Sequence, residues 1–120
     1  MSADEANCIF CRIVRGEVPS RKVHEDEHVL AFHDIHPLAP VHLLVIPKQH
    51  IASLMEADES HRDALGRMLA VAGRLAREHG SPEGFRTIIN TGRIGGQEVY
   101  HLHAHILGGP NRLPRMLSRD

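Results

Sequence analysis

Tyr100-His101-Leu102-His103-Ala104-His105-Ile106-Leu107-Gly108-Gly109 is the stretch from which the rest of the chain can be read. Histidines occupy every second position, with Leu102, Ala104 and Ile106 between them, the alternation of a β-strand whose side chains point to opposite faces. One face is apolar and the other is imidazole. Same-face Cα atoms are spaced roughly 6.6 Å along a strand, which sets His101 and His105 about 13 Å apart, too far to share one metal ion. The rings therefore have separate jobs. Two plainer readings stay open: ordinary solvated strand histidines, or a metal strand in which His103 and His105 chelate with a third ligand from elsewhere. The glycine-rich approach (Gly92, Gly95, Gly96) and the Gly108-Gly109 exit favour a functional unit.

Composition narrows the classes. A chain of 120 residues with 14 Lys and Arg against 15 Asp and Glu is one domain without the charge excess of a generic nucleic-acid or membrane surface. With three Phe, one Tyr and no Trp, it lacks the aromatic platform on which bases stack. The acidic first seven residues do not resemble a signal peptide, and no segment reaches the ~18 apolar residues of a membrane span. A cytoplasmic location is expected. The only cysteines, Cys8 and Cys11, have Cys-x-x-Cys spacing, which in a reducing compartment suggests a metal site or a redox pair rather than a structural disulfide.

Residues 1–7 read as a loose, flexible leader, residues 8–109 as a single domain, and residues 110–120 as a tail without regular structure. Cys8 to Arg15 predicts a short helix ended by Gly16. Lys22 to His24 and His28 to His33 predict a hairpin across the charged turn at 25–27. Pro37 and Pro40 stiffen the loop that follows, and His42 to Pro47 is apolar enough for a central strand, with His50 just beyond it. Asp58 to His79 predicts one long helix capped by Asp58 or Ser60 and closed by Gly80, with Leu65, Met68, Leu69, Ala72, Leu75 and Ala76 as its buried stripe. Phe85 to Asn90 is a further strand. The sum is an α+β domain: about five strands in an antiparallel sheet, one long helix and one short one.

The His-apolar-His-apolar-His run resembles the signature of the histidine triad (HIT) superfamily. The likeness extends through Ala31-Phe32-His33-Asp34-Ile35, residues 39–48, Asn90 and Gly95-Gly96-Gln97, a pattern similar to the histidine triad nucleotide-binding (Hint) branch. The resemblance implies a HIT-like fold and a homodimeric purine nucleoside phosphoramidase that cleaves P–N or P–O bonds of nucleoside monophosphate amides or esters. His103 would carry the nucleotidyl group, and a neutral imidazole is nucleophilic without a separate base. His105 would stabilise phosphate charge, His42 would steady the phosphate pocket, and His101 completes the triad. A purine nucleotide such as AMP or GMP would be bound by Phe32, His33, Asp34, Ile35, Asn90, Gly95, Gly96 and Gln97 together with His103 and His105. Bacterial relatives that pair Cys-x-x-Cys with two histidines imply a structural Zn2+ at Cys8, Cys11, His50 and His101, with no cofactor needed for catalysis. A dinucleoside polyphosphate hydrolase and a non-catalytic nucleotide-binding regulatory module are the alternatives. Glu98 departs from the serine of animal members, and a carboxylate there would repel phosphate, so it is left out of the phosphate contacts.

Overall fold

The computed structural model describes residues 2–117; Met1 of the leader and residues 118–120 of the tail lie outside them. The strands are β1 (Lys22–Glu25), β2 (Val29–His33), β3 (Val41–Pro47), β4 (Arg86–Ile88) and β5 (Ala104–Gly108). They form one antiparallel sheet in the order β1-β2-β3-β5-β4. Every residue of β3 is buried, as its apolar run and central place require. Asp26 fixes the β1–β2 turn by accepting from the backbone N–H groups of His28 and Val29 at 2.8 and 3.0 Å, an Asx-type local bond that competes with strand pairing. That turn delays β2 to Val29.

Helices α1 (Ala3–Asn7) and α2 (Ile9–Val14) precede the sheet. The leader thus holds a short helix where a loose segment was expected, because the Ser2 side chain caps it by accepting from the Glu5 N–H. The expected long helix is bent. It begins as a 3-10 turn, Glu59–His61, with Asp58 and His61 closing a capping box, and continues as α3 (Arg62–Ala70) and α4 (Ala72–Glu78) on either side of Val71. Gly66 and Gly73 flank the bend and are the interior residues that favour helix least. Its buried stripe is Ala64, Met68, Val71, Ala72, Leu75 and Ala76, whereas Leu69 is exposed.

The sheet is covered on both faces. On one, Val29, Ala31, Leu43, Val45, Ala104 and Ile106 pack against α3 and α4. On the other, Leu30, Phe32, Leu44 and Ile46 pack against Phe10, Cys11 and Ile13 of α2. Burying a side chain such as Leu75 contributes roughly 2 kcal/mol. The antiparallel register Phe32↔Leu44↔His105 puts His105 on the α2 face, and the neighbouring row His33↔Leu43↔Ile106 belongs to the opposite one.

Candidate active site and thiol–imidazole cluster

Regular pairing of β5 begins only at Ala104, so His101 and His103 lie on the approach to the strand. The approach is nonetheless held: the Leu102 N–H donates to the Ile51 carbonyl at 2.7 Å and the Leu102 side chain enters the helix-side core. The apolar and imidazole faces of the sequence thus survive where the ladder does not. His103 and His105 stand side by side with ring centroids 5.0 Å apart. His101 is fully buried and turned into a separate cluster.

Hydrogen bonds fix which nitrogen of each neutral ring carries the proton. His103 donates from Nδ1 to the His101 carbonyl at 2.8 Å, which leaves Nε2 bare. A neutral imidazole in that tautomer is chemically able to act as a nucleophile. The Leu38 N–H donates to His42 Nδ1 at 3.0 Å, so the His42 proton must sit on Nε2. From there it reaches His105 Nδ1 at 2.9 Å. His105 must then carry its own proton on Nε2, ready to donate. Burial pushes His105 down to about 4, helped by the neighbouring His103 and His42, with Asp34 pulling the other way. Burial lowers His42 too, again opposed by Asp34.

Asp34, His42 and His105 lie close enough together to hold a cation. The donor pattern argues against it, because the Leu38 amide occupies His42 Nδ1 and forces a proton onto the nitrogen that would face the metal. The group is a hydrogen-bond relay instead. Asp34 accepts from the His36 N–H at 2.8 Å and sets its other oxygen 3.4 Å from His42 Nε2.

The nucleotide residues expected from sequence divide. Phe32 is buried on the α2 face, beside Phe10. Ile35 is 83% exposed on the loop after Asp34, and Asn90 is half-buried beyond β4. The His33 side chain lies on the α3–α4 face, its ring 5.4 Å from His79 at the end of α4, while its backbone adjoins Phe32 and Asp34 in the chain. Gly95, Gly96 and Gln97 form a closed turn ahead of the triad. The Gly95 N–H donates to the Thr91 carbonyl and that of Gly96 to Arg93, while a Cβ on Gly95 would meet the Thr91 carbonyl oxygen at 2.5 Å. These glycines make a turn and have no free N–H to offer an anion. The Gln97 amide is equally occupied, donating to the carbonyls of Ala52 and Val99 and accepting from the Gly92 N–H. Glu98 is exposed on the wall of a cavity of about 530 Å³ that Cys8, His50 and Tyr100 also line.

The four residues expected to bind zinc come together. Cys8 Sγ, Cys11 Sγ and a nitrogen each from His50 and His101 all lie within 4.8 Å of one another. His101 Nδ1 is 3.3 Å from Cys8 Sγ and 3.4 Å from Cys11 Sγ, and His50 Nδ1 is 3.2 Å from Cys11 Sγ. His101 donates from Nε2 to the Pro47 carbonyl at 2.8 Å, which leaves its Nδ1 lone pair aimed at the sulfurs, the outer-shell arrangement of a metal-binding imidazole. The Cys11 N–H donates to Cys8 Sγ at 3.3 Å. Burial, with Cys8 alongside, pushes the Cys11 thiol up to about 12, so two thiolates here call for a cation. Two sulfurs and two imidazoles fit a closed tetrahedral zinc site.

The model of the HIT domain matches residues 15–112. The chain belongs to the HIT family. A HIT-family hydrolase is therefore the class in which this site works. The chain is 50% identical over 102 residues to a purine nucleoside phosphoramidase of Escherichia coli K12, covering 84% of this chain and 86% of that one. It is 47% identical over 108 residues to a 14 kDa zinc-binding protein of Zea mays, covering 88% and 84%. A histidine triad protein of Clostridium difficile superposes with a TM-score of 0.85 at 47% identity, covering 92% of this chain and 96% of that one. No helix among the described residues of this HIT protein is long and apolar enough to cross a membrane.

A bare nitrogen on His103 requires the other to donate to a backbone carbonyl such as that of His101, and it does; sequence reasoning missed the other backbone partners, the carbonyls of Pro47 and Ile51 and the N–H of Leu38. Side-chain pattern carries no signal for these. It also passed over Phe10, although the position of that residue between the cysteines placed it beside the cluster.

Proposed function

We propose that this HIT protein hydrolyses purine nucleoside phosphoramidates, and nucleoside monophosphate esters of similar reactivity, through a nucleotidyl-His103 intermediate. The observation that carries the reading is the pair of opposite tautomers on adjacent rings, a bare Nε2 on His103 and a protonated Nε2 on His105. Attack needs the first and charge stabilisation the second. His103 Nε2 forms a bond to phosphorus as the P–N bond breaks, and the amine departs with a proton taken from solvent, which the water that attacks next returns on losing its own. Water then displaces His103, releasing the nucleoside monophosphate and restoring the free ring. His105 donates to a phosphate oxygen in both steps, while His42 keeps its tautomer. Phe32, His33, Asp34, Ile35, Asn90 and the turn at Gly95, Gly96 and Gln97 are proposed to hold the nucleotide together with His103 and His105.

Cys8, Cys11, His50 and His101 would hold a structural Zn2+, whose contribution is to cross-link α2 to the approach of β5. A homodimer is proposed across the free edge of β4, next to which Phe85 is 39% exposed. The deciding experiment is rapid quenching into alkaline denaturant during turnover of adenosine 5′-phosphoramidate, followed by peptide mass spectrometry. An AMP adduct on His103, absent from His103→Ala with AMP affinity retained, supports the reading. Faster turnover of diadenosine polyphosphates would favour the polyphosphate hydrolase, and nucleotide binding with no turnover by the wild type would leave a binding module.

A further inference from the structure

Two arginines border one hollow at the end of the catalytic strand. Arg86 opens β4 and is half-buried, and Arg112 stands in the run that leaves β5. Both line a cavity of about 400 Å³ together with Phe85, Asn111 and a single carboxylate, that of Glu83. Among the described residues Arg12, Arg15, Arg67 and Arg74 are held in ion pairs, whereas Arg86 and Arg112 are in none. A cation drawn partly out of water without a counter-charge is costly, and a bound anion relieves the cost. The frame around the cavity is stiff. The Ser81 hydroxyl donates to the Gly84 carbonyl and accepts from the Gly109 N–H at 3.0 Å, which ties the lead-in of β4 to the exit of β5. A Cβ on Gly108 would collide with that hydroxyl.

The register sets Arg86 beside the chemistry. Arg86 pairs with Leu107 and Ile88 with His105, while Leu107 pairs on its other side with His42. Directly opposed residues share a face, so Arg86, His42 and His105 rise from the same side of the sheet. Arg86 is the diagonal neighbour of His105, with Cα atoms about 7–8 Å apart, a span that long side chains bridge. Phe32 and Asp34 belong to the opposite flank, at β2 and just after it. A phosphate at His103 and His105 therefore has the proposed nucleoside contacts on one side and Arg86 on the other. We propose that the cavity of Arg86 and Arg112 binds an anionic group, a carboxylate or a phosphate, carried by the departing amine. This rests on the reading of His103 and His105 as the phosphate site, and it names the substrate class: phosphoramidates of amines that bear negative charge. Guanidinium suits both anions because its planar fork donates two parallel hydrogen bonds to either. With two cations against one carboxylate in the wall, a neutral leaving group gains nothing from the cavity.

The test uses the full chain and three conjugates of AMP joined through a P–N bond to glycine, to glycine methyl ester and to 2-aminoethyl phosphate. In the wild type, kcat/KM for the glycine or the aminoethyl phosphate conjugate should exceed that for the neutral ester by about tenfold, and the advantage should shrink as salt is raised. The larger of the two gains tells whether the cavity takes a carboxylate or a phosphate. In Arg86→Gln the ratio of anionic to neutral substrate should fall to about one, and Arg86→Lys should restore part of it. Equal turnover of all three conjugates by the wild type would overturn the proposal, as would an anion preference that Arg86→Gln retains. Calorimetric titration of the same conjugates into His103→Ala separates binding from chemistry. If the wild type turns over none of them, the hydrolase reading fails, while the affinity ratio in His103→Ala, with and without Arg86→Gln, still decides the role of the cavity. No binding of any conjugate would overturn both. Should Arg86→Gln not fold, Arg112→Gln removes the other cation from an exposed position. It should reduce the same ratio, and an unchanged ratio would count against the proposal.

Discussion

Replacing His42 with leucine tests the relay at its middle link. His42 is 3% exposed and accepts from Leu38 while donating to His105 Nδ1. Leucine fills much of the space but strands the His105 acceptor, at a cost of about 1–3 kcal/mol for a buried group left unpaired. For a domain of this size that lowers Tm by about 10 °C. The catalytic loss is separate. Removing a charge-stabilising donor outright lowers kcat by about 10²–10³-fold, the effect expected of His105→Ala. In His42→Leu the His105 ring remains but its proton is no longer assigned to Nε2, so the loss should be nearer tenfold, with kcat and kcat/KM falling together. Steady-state hydrolysis of adenosine 5′-phosphoramidate beside melting curves measures both. Wild-type kcat in a folded His42→Leu would show that His42 does not set the His105 proton. A loss as deep as that of His105→Ala would show that His42 itself touches the phosphate.

Three further outcomes follow from the same geometry. Removing metal from protein containing one equivalent of zinc should lower Tm, because the ion binds the folded chain, and turnover should persist at a reduced rate; loss of all activity would make the metal catalytic. Burial holds His101 and His105 at about 4, below their ordinary 6.5, so the unfolded chain binds more protons between those values. Stability should be full above pH 6.5 and fall toward pH 4 by up to about 1.4 kcal/mol per pH unit for each such histidine, seen as declining denaturation midpoints; a flat profile would contradict it. Gly95→Ala would drive a Cβ against the Thr91 carbonyl oxygen, so it should destabilise the 91–97 turn by about 1–3 kcal/mol in chemical denaturation, while an unchanged midpoint would mean that the turn can relax.

The sheet was largely legible because its strands alternate or are uniformly apolar, and β3 announced its central place through density alone. Boundaries shifted where a side chain competes with pairing, as Asp26 does ahead of Val29. Leu69 falls in the apolar stripe by spacing, yet it lies 57% exposed in α3 beside the buried Met68. His33 stands in the run that carries the likeness, and one residue along the strand sends its side chain to the face opposite that of Phe32, a division that resemblance taken as a block does not display. Glycine at 95 and 96 suits an approach to an anion, and the turn those residues and Gln97 close among themselves becomes visible only in the hydrogen bonds. The cysteine cluster was legible by type and assembled only through contacts spanning residues 8 to 101.

The order β1-β2-β3-β5-β4 divides the sheet by distance along the chain. The first three strands form a meander of near neighbours, whereas Val41 pairs with Gly108 far along the chain, and among the described residues β4 pairs with β5 alone. Long loops close late, since their entropy is spent before any contact rewards it. A chain caught with the meander and its helices in place therefore lacks the docked strand that carries His105, with His103 just before it, and under the proposed mechanism turns over no substrate. Return of turnover during refolding is thus a clock for the docking of the last strand, running behind any optical signal from the earlier ones.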